Sequence, residues 1–347
     1  MNTTATSETS AATFTAPVKR RLALALALAA CAIACGPLTV LAQAPAASAA
    51  DFPNRVIRFI VPFPAGTGTD LSARYFAKKL TEYTGQPVVV DNRGGGNGFP
   101  AAVAVKTAPA DGYTILFGSN STLATNMALF KSVPYDPLVD FAPISAVMKS
   151  PVILVVPTTS PYKTIGEFID AAKKAPGKMN VGTGSAAYLL LGELFSERAG
   201  VKMTNVPYKG VSDVLLAVMS SQLDMGLVEP AAAMELLKTG KVRPLLVGVE
   251  NRLPAIPDVP TSAEAGLPGF TGFTWVGVVA PAATPRPIMD KLSALFMQAL
   301  ASPDTKQFYA AQNVQIMTGG QDEMRPFWRD QIEQWRRTAA SAKVEPQ

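Results

Sequence analysis

The chain has 347 residues, 48% of them hydrophobic, and a formal net charge of +5. It contains no histidine, and its two cysteines, Cys31 and Cys35, both fall within the first fifty residues. Those absences exclude catalytic triads built on His or Cys, zinc sites with Cys/His ligands, and a disulfide framework beyond the leader. Carboxylates, hydroxyls, Lys, Arg and backbone groups remain for chemistry, and neither a metal nor a cofactor is expected.

The start of the chain is polar, then basic at Lys19-Arg20-Arg21, then Ala/Leu-rich over 22–41, and ends in Ala47-Ser48-Ala49-Ala50. Basic residues, an apolar run and a small-residue end describe a secretory signal peptide over residues 1–50, hence a periplasmic destination. Gly36-Pro37 interrupts the apolar run and argues against a retained membrane anchor. Leu28-Ala29-Ala30-Cys31 is the alternative, a lipoprotein processing site with Cys31 lipidated. Removing residues 1–50 takes away three basic residues and one acidic, so the charge falls from +5 to +3. That mild balance, without clustered Lys and Arg, speaks against nucleic acid and suits a small organic anion.

Residues 56–61 read as a buried strand ended by Pro62 and Pro64. Gly66-Thr67-Gly68-Thr69 then opens into a helix that starts at Thr69 or Asp70, carries an apolar face of Ala73, Phe76, Ala77, Leu80 and Tyr83, and stops at Gly85. Free N–H groups at such a helix start suit a carboxylate or phosphate. Most glycine-containing loops of this kind merely turn the chain, and the third glycine of a dinucleotide fingerprint is missing. Asp70 is expected to cap its own helix. Further strands are expected at 86–90, buried, and at 113–117, the latter opening into the polar loop Gly118-Ser119-Asn120-Ser121. Alternating strands and helices predict an α/β fold with largely parallel sheets.

Apolar runs at 141–147 and 152–156 precede a capping-box pattern, Thr164-x-x-Glu167. A strand at 179–181 then feeds Gly182-Thr183-Gly184-Ser185 and a helix over 187–199. This is a second strand–GTGS–helix unit, chemically like the first. Two helix N-termini facing one cleft would clamp both ends of a dianion. Strands at 203–206, 223–228, 244–249 and 272–280 follow, then three helices within 285–340. Trp328 and Trp335 on the last helix are expected in the core.

The segments VPFPAGTGTD (61–70), GQPVVVDNRGGG (85–96), DGYTILFGSNSTLATN (111–126), VPYKG (206–210) and IPDVPTSAEAGLPGF (256–270) occur in this order. Together they resemble the extracytoplasmic solute receptors of tripartite tricarboxylate transporters, the Bug family, over essentially all of 51–340. The resemblance implies a type II periplasmic-binding-protein fold: two α/β lobes, a ligand cleft and two hinge crossings. It maps lobe 1 to 51–151 plus 271–347 and lobe 2 to 152–270. It implies a carboxylate ligand held mainly by two loops and delivered to integral-membrane transporter subunits, with a monomer as the default. The candidate ligand-binding residues are Phe63, Gly66, Thr67, Gly68, Thr69 and Asp70, then Ser119 and Asn120, then Gly182, Thr183, Gly184, Ser185 and Tyr188, with Tyr208, Glu229 and Trp275.

Two departures from the family pattern stand out. Tyr188-Leu189 replaces a Gln-His pair, and Leu227-Val228-Glu229 replaces an Asp-Asn pair. Both predict a less polar pocket and an aromatic carboxylate such as terephthalate, unless Tyr188 and Leu189 are simply packed helix residues. Receptors for C4–C6 di- or tricarboxylates, and a sensor feeding a two-component system, are the alternatives. A hydrolase built on Ser119, Ser185 or Thr183 with Lys209 or Glu229 lacks any nucleophile motif.

Overall fold

A computed structural model describes residues 51–347. The expected signal peptide and Cys31 lie outside the described residues. Two sheets organise the chain. The first has six strands: β1 (Ile57–Val61), β2 (Val88–Asn92), β3 (Thr114–Ser119), β4 (Phe141–Pro151), β10 (Phe273–Pro281) and β11 (Gln315–Ile316), in the order β11-β4-β10-β3-β1-β2. The second has five: β5 (Ile153–Pro157), β6 (Asn180–Thr183), β7 (Thr204–Pro207), β8 (Met225–Val228) and β9 (Val242–Val247), in the order β7-β6-β8-β5-β9. The chain passes from first sheet to second at Val152 and returns between β9 and β10.

The sheets are mixed, not largely parallel. The βαβ units β1/β2, β1/β3, β6/β7 and β6/β8 pair in parallel, as helical crossovers require. The strands beside the two chain passages, β4, β10, β5 and β9, pair antiparallel instead. A chain that leaves a sheet and comes back reverses direction, which alternating helix and strand patterns do not reveal. The expected buried strand at 86–90 is β2, shifted two residues onward. It is an edge strand, half exposed, because only β1 pairs with it.

Helix α1 (Gly68–Thr84) buries Ala73, Phe76, Ala77 and Leu80 against the first sheet, where Phe117 and Phe296 meet both Phe76 and Phe59; the expected Tyr83 is only partly buried at its edge. Gly85 ends it in the left-handed region at φ 70°, which carries no Cβ penalty for glycine. The helix Ile165–Lys174 starts with the expected capping box: Thr164 and Glu167 satisfy each other's backbone N–H groups.

The last helix, Gln321–Ser341, buries Trp328 and Trp335 as expected. They join one apolar cluster that also holds the second sheet's Val155, Leu227 and Leu246. The opposite face of the first sheet packs a separate cluster around Phe59, Phe76 and Phe296.

Candidate functional site

The cleft is built where the two sheets approach. Its walls come from the loop before α1, the end of β3, β10, and the starts of the helices Ala186–Ala199, Val211–Met219 and Pro230–Lys238. The room left in it for water-sized molecules is only about 20 Å³, so the walls stand nearly in contact.

On the first wall, Thr67 caps α1, its Oγ1 accepting from the Asp70 N–H at 3.3 Å. The helix therefore starts one residue earlier than its sequence suggests. Asp70 is not the cap. Its carboxylate accepts from the Gly66 N–H at 2.9 Å, from Asn92 Nδ2 at 2.8 Å and from Arg74. Asp70 is 1% exposed, so its charge is met inside the protein and does not face the cleft.

The expected polar loop at 118–121 is more ordered than a loop. Ser119 ends β3, and Ser121–Thr125 forms a π-helical turn, a wide turn common at functional sites. The turn is clamped from three sides. Trp328 Nε1 donates to Leu123 O at 2.5 Å, Tyr135 OH donates to Thr122 O at 2.7 Å, and Asn126 Nδ2 donates to Asn97 O. Thr122 and Thr125 satisfy backbone groups of Ser119 and Asn120. The side chains of Ser119 and Asn120 are thereby left unused.

Six buried side-chain polar atoms among the described residues have no hydrogen-bond partner in the protein. Three of them, Ser119 Oγ, Asn120 Nδ2 and Trp275 Nε1, belong to residues lining this cleft. All three residues are at most 4% exposed. Leaving a buried donor unmatched costs about 1–3 kcal/mol, so a cluster of them marks a place for an acceptor.

On the second wall, Glu229 is 5% exposed, and its Oε1 accepts from the Gly68 N–H at 2.8 Å. Its other oxygen accepts from the Tyr188 hydroxyl. Burial pushes the Glu229 carboxyl above its ordinary value, and the donors from Tyr188 and Gly68 pull it part of the way back. The Tyr188 hydroxyl is pushed well up, first by burial and then by the neighbouring carboxylate. Ser121 Oγ donates to Ser185 Oγ at 3.0 Å and accepts from the Ala187 N–H at 3.2 Å. With Ser212 Oγ donating to Ala65 O at 3.1 Å, these bonds join the first-sheet half to the second-sheet half.

Ten of the sixteen predicted residues line the cleft: Phe63, Thr67, Thr69, Ser119, Asn120, Gly184, Ser185, Tyr188, Glu229 and Trp275. The other six do not. Gly66 and Gly68 spend their N–H groups on Asp70 and Glu229. Asp70 sits in its own ion pair, and Gly182 packs beneath Leu223. Thr183 Oγ1 donates to Asn205, and Tyr208 borders a neighbouring groove with Lys209 and Asp213. Leu227 is buried in the second sheet and has no part in the cleft's polarity. Ser121, Met148, Val211, Thr274 and Val276 line it without having been predicted. Ser121 stands in the quoted GSNS loop and Thr274 precedes Trp275; nothing in the sequence marks the three apolar residues.

Residues 72–342 match the profile of the tripartite tricarboxylate transporter family receptors. The chain belongs to that family. The receptor is 35% identical to protein BugT of Bordetella pertussis over 304 residues, 85% of this chain and 93% of BugT. Among solved structures it is similar to Rpa4515 of R. palustris with adipate, with 32% identity and a TM-score of 0.83. That match covers 86% of this chain and all of the other. It is also similar to MatC of Rhodopseudomonas palustris with bound malate, with 30% identity and a TM-score of 0.79, over 83% and 99% of the two chains.

Glu229 also gives this receptor a pH dependence. A carboxyl whose folded pKa lies above its ordinary 4.5 holds its proton longer folded than unfolded. Stability from this group is full below pH 4.5 and is lost as the pH rises through the folded value. Glu229→Gln removes that loss. The Tm difference, variant minus wild type, is expected to grow in the variant's favour above pH 4.5 and to level off once the pH has passed the folded value. Glu193, also raised by burial, is common to both proteins and cancels. A flat difference by calorimetry would show that Glu229 titrates normally.

Proposed function

We propose that this receptor binds a small organic carboxylate in the cleft between its two lobes and hands it to the membrane subunits of a tripartite transporter. It works in the periplasm as a monomer, exported by the leader at 1–50, and acts by binding, not catalysis. The lobes are 51–151 plus 271–347 and 152–270, turning about the two chain passages. The observation that carries the reading is the group of unpartnered donors, Ser119 Oγ, Asn120 Nδ2 and Trp275 Nε1, in one buried cleft. Donors without acceptors call for a ligand rich in acceptor oxygens, and a carboxylate supplies them in the smallest volume. Phe63, Met148, Val211 and Trp275 on the same walls favour a flat apolar body, an aromatic acid above a citrate-like one. Binding favours the closed arrangement of the lobes, the form the membrane subunits would engage.

A thermal-shift screen of residues 51–347 tests this. The panel holds aromatic acids, C4–C6 di- and tricarboxylates and acidic amino acids. A ligand at a hundredfold excess over Kd adds about 2.7 kcal/mol and raises Tm by several degrees. Aromatic acids are expected to give the largest shifts. A shift only with citrate- or succinate-like acids would discard the aromatic preference. No shift with any carboxylate would discard the carboxylate reading.

A further inference from the structure

The N-terminus of α1, expected to hold one end of a dianion, is already occupied by the protein's own carboxylates. The Gly66 N–H serves Asp70, and the Gly68 N–H serves Glu229. Asp70 has Arg74 as its counter-charge, whereas Glu229 receives only neutral donors, the Gly68 N–H and the Tyr188 hydroxyl. Among the described residues, no lysine or arginine lines the cleft. The cleft is therefore polarised: unmatched donors come from Ser119, Asn120 and Trp275, and a buried carboxyl with no basic side chain beside it comes from Glu229.

Resting on the receptor reading above, we infer that the cleft selects monocarboxylates, with Glu229 as the residue that excludes dicarboxylates. The single carboxylate of the ligand takes up the free donors. Its far end, against Glu229 and Tyr188, carries no negative charge; it is apolar or donates a hydrogen bond. A second carboxylate there meets the Glu229 carboxylate in a buried space that no basic side chain lines. It enters only by taking up a proton, which at neutral pH costs affinity in proportion to the rarity of that form.

Calorimetric titration at pH 7.5 with matched pairs, benzoate against terephthalate and hexanoate against adipate, tests the inference. At least one monocarboxylate is expected to bind tenfold or more tightly than the dicarboxylate of the same skeleton. In Glu229→Gln the ratio is expected to shift toward the dicarboxylate by tenfold or more. The ratio is read within one protein, so a general loss of affinity in the variant does not move it. A dicarboxylate that binds wild type as tightly as its partner overturns the inference while the receptor reading stands. A ratio unmoved in Glu229→Gln removes Glu229 as its cause. Folded protein that binds none of the four, and none of the wider carboxylate panel, overturns both.

Discussion

Gly210→Val is expected to weaken ligand binding by about 100-fold while leaving the Tm of the ligand-free protein nearly unchanged. Gly210 precedes the helix Val211–Met219 in extended backbone, φ −176° and ψ 170°, which any residue adopts. Its special property is closeness. A Cβ there would lie 2.8 Å from Pro64 Cδ and 3.4 Å from Pro64 Cγ and Thr67 Cγ2. Those atoms belong to the first-sheet half of the molecule, while Gly210 belongs to the second. The clash is thus relieved by opening the halves, not by unfolding either one. Overpacking of this kind costs about 1–3 kcal/mol, and 100-fold in Kd is about 2.7 kcal/mol. Titration calorimetry reads the affinity, and solution scattering with ligand reads whether the molecule stays open. Gly184→Val is the contrasting control. Its Cβ would meet Gly210 C and Val211 N at 2.5 Å, backbone of its own half, so it is expected to lower the Tm outright. Full affinity in Gly210→Val would show that binding does not need the contact between Pro64 and Gly210.

The legible part of this molecule is what short-range chemistry dictates. Thr164 and Glu167 announce their helix, Gly85 announces the end of another, and short apolar runs announce β1, β3 and β6. The two glycine loops at 66–69 and 182–185 locate the cleft because the chain must turn there at the carboxyl ends of strands. What the residues do there depends on partners far along the chain. Asp70 looks like a cap, yet Asn92 and Arg74 claim its oxygens. Glu229 lies 161 positions from Gly68, and no local pattern tells that its carboxylate fills the helix start. The antiparallel pairings hide for the same reason. They follow from the chain passing between two sheets, a property of topology and not of any window of sequence.

Trp275 tests whether a buried orphan donor serves the ligand or is merely tolerated. The ring is fully buried in β10, edge-on to Phe327 at 5.1 Å, and packed so closely over Gly277 that a Cβ there would sit 2.9 Å from its Cζ3. Trp275→Ala removes that volume and is expected to cost about 3–5 kcal/mol, a fall in Tm of roughly ten degrees. Trp275→Phe keeps most of the ring and deletes only the unmatched Nε1 donor. An unmatched buried donor is a liability in the ligand-free protein, so its removal offsets part of the packing loss and the Tm change is expected to be small. A ligand that uses Nε1 loses a charge-assisted bond, so its affinity is expected to fall by about tenfold or more. The two readouts separate the roles: the alanine variant measures packing, and the phenylalanine variant measures the donor. If Trp275→Phe raised the ligand-free Tm and bound every carboxylate as tightly as wild type, Nε1 would have no part in recognition. Ser119 Oγ and Asn120 Nδ2 would then have to hold the carboxylate alone.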